Sequence, residues 1–203
     1  MIKGNLRIGF VFLFALLLTV SAVYAEINLS TSGGKLGIKA AGKTTNLDSN
    51  TTETTVSDSS GAKVDINYNA AEGTASLASS TGTATLTYNI AKIFLDNGES
   101  ADVGPTGPYG SFYITNTSGE GKIVVIFPDN SKITMPPSAK VSLTFLADDN
   151  FNLKVLEGTV EYVDAKGNAQ MLTPNSPAIF VKGFGQVPGW RSIEPDRLHP
   201  ATP

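Results

Sequence analysis

The residues that most often carry hydrolytic and metal chemistry are nearly missing from this chain. Cysteine is absent, and histidine occurs once, as His199, close to the end of the 203 residues. Without cysteine there are no disulfides, thiolate metal sites, cysteine nucleophiles or lipid-modified cysteine anchor. With one imidazole there is no multi-histidine metal centre, and no Ser-His-Asp catalysis unless His199 serves alone. A Gly-x-Ser-x-Gly nucleophile elbow is absent, and Ser111, after Gly110, reads as the start of a strand. No Gly-rich loop ends in Lys-Ser/Thr, so nucleotide binding is not expected. Carboxylates, lysines, tyrosines and hydroxyls remain. A hydroxyl needs a nearby base to become nucleophilic, and a lone carboxylate needs its pKa raised to act as an acid.

The carboxylates have structural reasons for their positions. Asp129, Asp164 and the pair Asp148-Asp149 lie in turn sequences, where Asp and Asn bond the local backbone. A glycosidase needs two facing carboxylates at a defined separation, and the candidates for such convergence are Asp96, Glu99, Asp148, Glu157 and Glu161. Calcium takes oxygen ligands alone. Asp96, Asn97, Glu99 and Asp102 cluster in one loop, whereas Asp164, Lys166 and Asn168 place a lysine where an acid is wanted. Tyr109, Phe112, Tyr113 and Trp190 offer an aromatic sugar platform, against core and loop packing as the plainer reading. No catalytic, cofactor-binding or metal-ligating residue is assigned, and a protein that is not an enzyme is expected.

The elements that position these residues read as β structure after an export signal. Lys3 and Arg7 precede an apolar run, Ile8–Val20, and Val23 and Ala25 suit the −3 and −1 positions of a cleavage site. The run is short for a membrane span; an uncleaved anchor is the alternative. Cleavage after Ala25 leaves 178 residues with 13 basic and 18 acidic side chains, a formal charge of −5. That sum argues against nucleic acid and against anionic membrane surfaces as partners. Ile27 to about Thr83 is rich in Ser, Thr, Gly, Asn and Ala, with strand candidates at Lys35–Ile38 and Lys63–Asn69. From Thr83 apolar residues alternate in short runs, such as Leu86, Tyr88, Ile90 and Val141, Leu143, Phe145, separated by Asp/Asn/Gly/Pro turns. Lys122–Phe127 is apolar on both faces and reads as a central strand. Gly104–Gly110 reads as an irregular loop. No helical apolar spacing stands out beyond the signal.

Two stretches carry a resemblance. Phe127-Pro128-Asp129-Asn130-Ser131-Lys132-Ile133-Thr134-Met135-Pro136-Pro137-Ser138-Ala139-Lys140-Val141 resembles the strand, Asp-Gly-Ser turn, strand, Pro-Gly-Ser turn, strand of FecR-type domains. These are extracytoplasmic modules of bacterial iron-signalling regulators. Phe151–Tyr162, with Leu156-Glu157-Gly158-Thr159-Val160, resembles that family's Leu-x-Glu-Gly-x-Val turn. Asn130 stands where the family prefers Gly, and Pro137 where a Pro-Gly turn places Gly. The resemblance spans Ile123–Val181 and implies the fold and an extracytoplasmic setting, as a solitary domain without the anti-sigma segment. Leu156–Tyr162 with Leu172–Ala178 is also similar to a cupin strand pair, but a cupin metal centre needs histidines on these strands.

The expected fold is therefore all-β: a β-sandwich, jelly roll or β-solenoid-like FecR domain. The expected division is a signal peptide over 1–25, a Ser/Thr/Gly-rich segment with a few short strands over 26–82, a FecR-like domain over 83–182 and a Gly/Pro-rich tail over 183–203. The expected function is an exported envelope or surface protein, periplasmic, cell-surface or secreted, that binds an envelope or extracellular ligand or protein. It uses no cofactor, nucleotide or nucleic acid and has no stable membrane span after cleavage. A structural surface component or adhesin is the alternative, and a carboxylate-dependent enzyme on envelope polysaccharide the second. Mass spectrometry of the exported protein should give Glu26 as the first residue; an intact Met1–Ala25 in the membrane fraction would instead establish the anchor.

Overall fold

A computed structural model of the chain describes residues 27–183 except 33, 59, 107–109 and 147–149. The expected signal peptide, Tyr109, Asp148, Asp149, Trp190, His199 and nearly all of the expected tail therefore lie outside the described residues. Within them are seventeen strands and no helix, and the protein is an all-β two-sheet sandwich. Strands β1 (Ile27–Ser32), β2 (Lys35–Ala40) and β3 (Lys43–Leu47) run outward along one sheet. Strands β4 (Glu53–Ser57), β5 (Lys63–Asn69) and β6 (Thr74–Thr81) return along the other. From there hairpins alternate between the sheets. β7 (Ala84–Tyr88) and β8 (Ala91–Leu95) join the first, β9 (Ser100–Pro105) and β10 (Phe112–Asn116) the second. β11 (Ile123–Ile126) and β12 (Lys132–Met135) follow in the first, β13 (Lys140–Phe145) and β14 (Phe151–Glu157) in the second. β15 (Val160–Val163) and β16 (Ala169–Leu172) close the first, and β17 (Ile179–Val181) the second.

The nine-stranded sheet has the order β16-β15-β12-β11-β8-β7-β1-β2-β3, and the eight-stranded sheet β17-β14-β13-β10-β9-β6-β5-β4. Among the described pairings only β1–β7 is parallel. It forms where the chain, having gone out and back, resumes beside its own first strand. The Ser/Thr-rich region thus contributes six strands, where composition suggested two. β-branched Thr suits a pleated surface, and a few apolar residues per strand suffice: Leu36, Ile38 and Ala40 in β2, and Leu47 alone in β3, are buried. Both sheets run without a break across residues 82 and 83.

One apolar cluster fills the space between the sheets. The nine-stranded sheet contributes Leu86, Ile93, Val125, Ile133 and Val160, the other sheet Ile66, Leu77, Ile114, Leu143 and Leu153, each fully buried. Tyr88 and Phe112, from opposite sheets, meet edge to face at 5.3 Å. The sequence leads one to expect Val125, Phe127, Val141, Leu143, Leu153, Val155, Val160 and Phe180 to face inward, and the first seven are buried. Phe180 instead faces out: it is 58% exposed, and Val181 beside it is buried. Ala178–Val181 is apolar at every position, so alternation does not choose its inner face. The loop expected from Gly104 starts later, because Gly104 and Pro105 still pair with Tyr113 and Phe112. Strand β11 is interior as expected, but its Val124 and Ile126 are only half-buried.

The hairpins of the nine-stranded sheet that start at Ala84, Ile123 and Val160 are 39 and 37 residues apart, and each crosses to the other sheet by the same device. A turn closes with an i+3 hydrogen bond: Glu99 N–H to Asp96 O at 2.9 Å, Ala139 N–H to Pro136 O at 3.1 Å, Ser176 N–H to Thr173 O at 2.9 Å. In the first two the third residue has positive φ, Gly98 at 84° and Ser138 at 64°, as a type II turn requires. The family-like turn thus places its left-handed residue at Ser138, and Pro137 takes the preceding position that its ring favours. Asn130 likewise has φ 66° in the β11–β12 hairpin.

Ser138 is exposed and pays the steric cost of a side chain in the left-handed region, about 1–2 kcal/mol. Ser138→Gly removes that cost and adds about 0.4–1 kcal/mol of unfolded-state entropy. The net expectation is a gain of about 0.5–1 kcal/mol by urea denaturation. Gly98→Ala, in the equivalent turn, should lose stability by the same measurement.

Candidate functional site

The hydroxyl and amide groups nearest the crossings are used internally. Asn116, fully buried at the end of β10, donates from Nδ2 to Gly121 O at 2.9 Å and Met135 O at 2.8 Å, and Oδ1 accepts from Ser118 N–H at 2.9 Å. It thereby ties the eight-stranded sheet to the end of β12 in the other. Ser79 holds the equivalent place at the preceding crossing. Its backbone exchanges bonds with Gly98 and Glu99 and its Oγ donates to Gly82 O at 2.8 Å, while Asn116 exchanges with Ser138 and Ala139. Ser111 is buried, and its hydroxyl accepts from Phe145 N–H at 2.8 Å.

The turn carboxylates are engaged with their own backbones. Asp48, Asp58, Asp129 and Asp164 each accept through Oδ1 from the N–H two residues on, at 2.8–2.9 Å. The side chain and backbone of Asn168 are the main influences that hold the Asp164 carboxyl below its usual range, and Lys166 adds to them. The Asp96 carboxylate accepts from Thr83 Oγ1 at 2.8 Å, and Glu99 Oε2 from Asp96 N–H at 2.7 Å. Asp102 lies within β9, opposite Ser76 and Thr115 in register. Among the described residues no three acidic or imidazole side chains form a group able to hold a metal ion. Glu157, level with Lys140 in the eight-stranded sheet, and Glu161, level with Thr134 and Met171 in the nine-stranded sheet, are exposed on different sheets. Of the five candidate acids, only Asp96 and Glu99 come together, inside one turn; Asp148 is outside the described residues.

The aromatic candidates separate in the same way. Phe112 is a core residue, in edge contact with Tyr88 and Phe151. Tyr113 is half-buried on the outer face of β10. Its ring lies across Gly104, where a Cβ would come within 2.8 Å of it, and the Lys140 ammonium sits over the ring at 4.6 Å from the centroid. Burial, then the charges of Asp102 and Glu72, raise the Tyr113 hydroxyl pKa. With Lys140 over it, this ring is not an open stacking platform.

What the fold does assemble is a shallow, open depression of about 780 Å³ on the outer face of the eight-stranded sheet, about as apolar as polar, with Ile66, Leu77 and Ala78 among its lining residues. Strand pairing sets Glu53, Asn67, Ser76 and Asp102 in one row across β4, β5, β6 and β9. Thr55 and Asp65 stand in the neighbouring row, joined by a 2.6 Å bond from the Thr55 hydroxyl. Every one of these side chains projects from a regular strand. The result is a fixed array of carboxylates, an amide and hydroxyls, with no buried side-chain polar atom among the described residues left without a partner. Sequence reading did not assemble this array, because its members lie on four strands and only their register brings them together.

No family model matches this sequence, and no curated protein matches it. Among solved structures, the TCP10c domain of Drosophila melanogaster Sas-4 aligns over 71% of this chain and 97% of that one, at 13% identity and a TM-score of 0.15. A superposition that poor carries no argument about fold or function. Among the described residues no helix is long and apolar enough to cross a membrane.

A group whose folded pKa is depressed adds stability above its unfolded pKa and loses it as pH falls through the folded value. Asp164 is of this kind. Its β15–β16 turn should hold at neutral pH and loosen only below the usual carboxylate value of about 4. The check is the NMR pH titration of the Lys166 and Asn168 amides, and Asp164→Asn should remove that acid-limb transition.

Proposed function

We propose that this protein is an exported, non-enzymatic component of a bacterial envelope, whose FecR-like β-sandwich binds an envelope or extracellular ligand on the outer face of its eight-stranded sheet. The observation that carries the reading is the groove of Glu53, Thr55, Asp65, Asn67, Ser76 and Asp102, the polar array that the sheet register builds. Side chains held on strands are pre-organised, so little ordering cost remains on binding. Carboxylates, an amide and hydroxyls in such an array suit a polyhydroxylated or amide-bearing ligand, such as an envelope glycan. The residues that resemble FecR domains support the fold side of the reading, since Ile123–Val181 coincides with β11–β17, one crossing-hairpin unit and the next.

Catalysis is not part of the proposal. Asp96 and Glu99 are engaged in their own turn, and Glu157 and Glu161 lie on different sheets. A Ser/Thr-rich segment is one reason to consider an adhesin, but here that region is built into β1–β6, so its composition serves the sheets.

The experiment has two arms on the 26–203 protein. Glycan-array or calorimetric binding to envelope polysaccharides should be lost in Asp65→Ala and Asp102→Ala, by about tenfold or more if each carboxylate makes a charge-assisted bond of about 1.5–3 kcal/mol. Binding unaffected by both variants would remove the groove from the proposal. Peptidoglycan and common envelope glycans should remain unhydrolysed. Turnover abolished by mutating a pair of acids, such as Asp148 with Glu161, would make the protein an enzyme.

A further inference from the structure

The two sheets differ in charge. The strands of the nine-stranded sheet hold five lysines and one acid, Glu161, while those of the eight-stranded sheet hold three lysines and four acids. Pairing aligns Lys39, Asn28, Thr87, Lys92, Ile126, Lys132 and Val163 in one row across the outer face of the nine-stranded sheet. The adjacent row carries Phe94, Val124, Thr134, Glu161 and Met171. Lys39 and Lys132 are exposed, Phe94, Val124, Ile126 and Val163 are half-buried, and Met171 is 62% exposed. The outward positions of β8, β11 and β15 are thus largely apolar, whereas the opposite face of the sandwich presents mainly Asp, Asn, Ser and Thr.

From this juxtaposition we infer that the outer face of the nine-stranded sheet docks on an anionic lipid surface. Neighbouring strands about 4.8 Å apart put Lys92 roughly 10 Å from Lys132 and roughly 14 Å from Lys39, and Lys39 about 24 Å from Lys132. Their ammonium groups lie at the level of anionic headgroups, while the aliphatic side chains between them reach the acyl boundary. A soluble polyanion would engage the lysines and leave Val124, Ile126 and Met171 without a role. The chain also enters the fold on this sheet, at β1, a few residues after the apolar stretch Ile8–Val20. The overall negative charge does not oppose the contact, because Glu161 is the one strand acid on this sheet, the other described acids sit on the other sheet and in turns, and charges beyond about 8 Å are screened at physiological salt.

The inference rests on the envelope reading only for placing a membrane within reach; cell fractionation tests that reading, and vesicle binding tests this one. The purified 26–203 protein is sedimented with phosphatidylcholine vesicles with and without phosphatidylglycerol. Binding should be at least about tenfold tighter to the anionic vesicles, and weakened by salt. The double variant Lys39→Glu/Lys132→Glu should lose more than about tenfold, at roughly fivefold per charge removed. Both residues are exposed strand positions, and an unchanged thermal midpoint shows the fold intact. Lys154→Glu changes charge on the eight-stranded sheet and should leave binding unchanged. Equal affinity for neutral and anionic vesicles, no binding, or an equal loss in Lys154→Glu would overturn the inference. So would a salt-sensitive dimer, formed without lipid and abolished by Lys39→Glu/Lys132→Glu, since the face would then belong to a second copy.

Discussion

Each time the chain leaves one sheet for the other it must cross the rim of the sandwich without stranding backbone donors and acceptors beside an apolar core. An unpaired buried polar group costs about 1–3 kcal/mol, so an unsatisfied crossing would be expensive each time it recurred. The solution seen at the β8–β9 and β12–β13 crossings is a four-residue turn whose last two residues bond the end of the preceding strand in the eight-stranded sheet, through Ser79 in one case and Asn116 in the other. The side chains of those two residues then collect carbonyls of the loop they face. Alternation of hairpins, the parallel β1–β7 pair and the opposite outer faces all presuppose that these crossings hold.

Much of this was legible from alternation. The runs around Leu86, Val141 and Leu153 name both the strand and its inner face, because a polar residue stands between each apolar pair. Legibility failed where that contrast is missing. Ala178–Val181 is apolar throughout, so nothing local says that Phe180 faces out; pairing with β14 decides it. In β1, β3 and β4 the apolar residues are few, and the sheet uses Thr and Ser on both faces. Tertiary pairing overrides a weak local pattern there. The spacing of the crossing hairpins was hidden because the equivalent turns, Asp96–Glu99, Pro136–Ala139 and Thr173–Ser176, share a closing hydrogen bond and almost no residues.

The candidate groove was less legible than the fold for a related reason. Glu53, Asn67, Ser76 and Asp102 lie on four strands, and only the register of three pairings makes them a row. Spacing along the chain drew attention instead to Asp96, Glu99, Asp129 and Asp164, acids close in sequence to other turn residues. Those acids are close because a turn needs them close, which is why local clusters of Asp and Asn point to backbone chemistry more often than to a site.

Charge shows the same limit of a linear reading. A formal −3 describes the chain as a sum, and a sum suits arguments about solubility or long-range repulsion. Contact with a surface depends on what one face presents within a Debye length. A two-sheet sandwich has two such faces, and the residues of a strand alternate between face and core, so the sign of each face is set by every second residue of the strands assigned to it. Here sheet assignment sends Lys35, Lys39, Lys92 and Lys132 with Glu161 to one sheet, and Glu53, Asp65, Asp102 and Glu157 with Lys63, Lys140 and Lys154 to the other. A chain that is acidic overall thereby acquires a basic side, and the alternation of hairpins between the sheets is what sorts the charges.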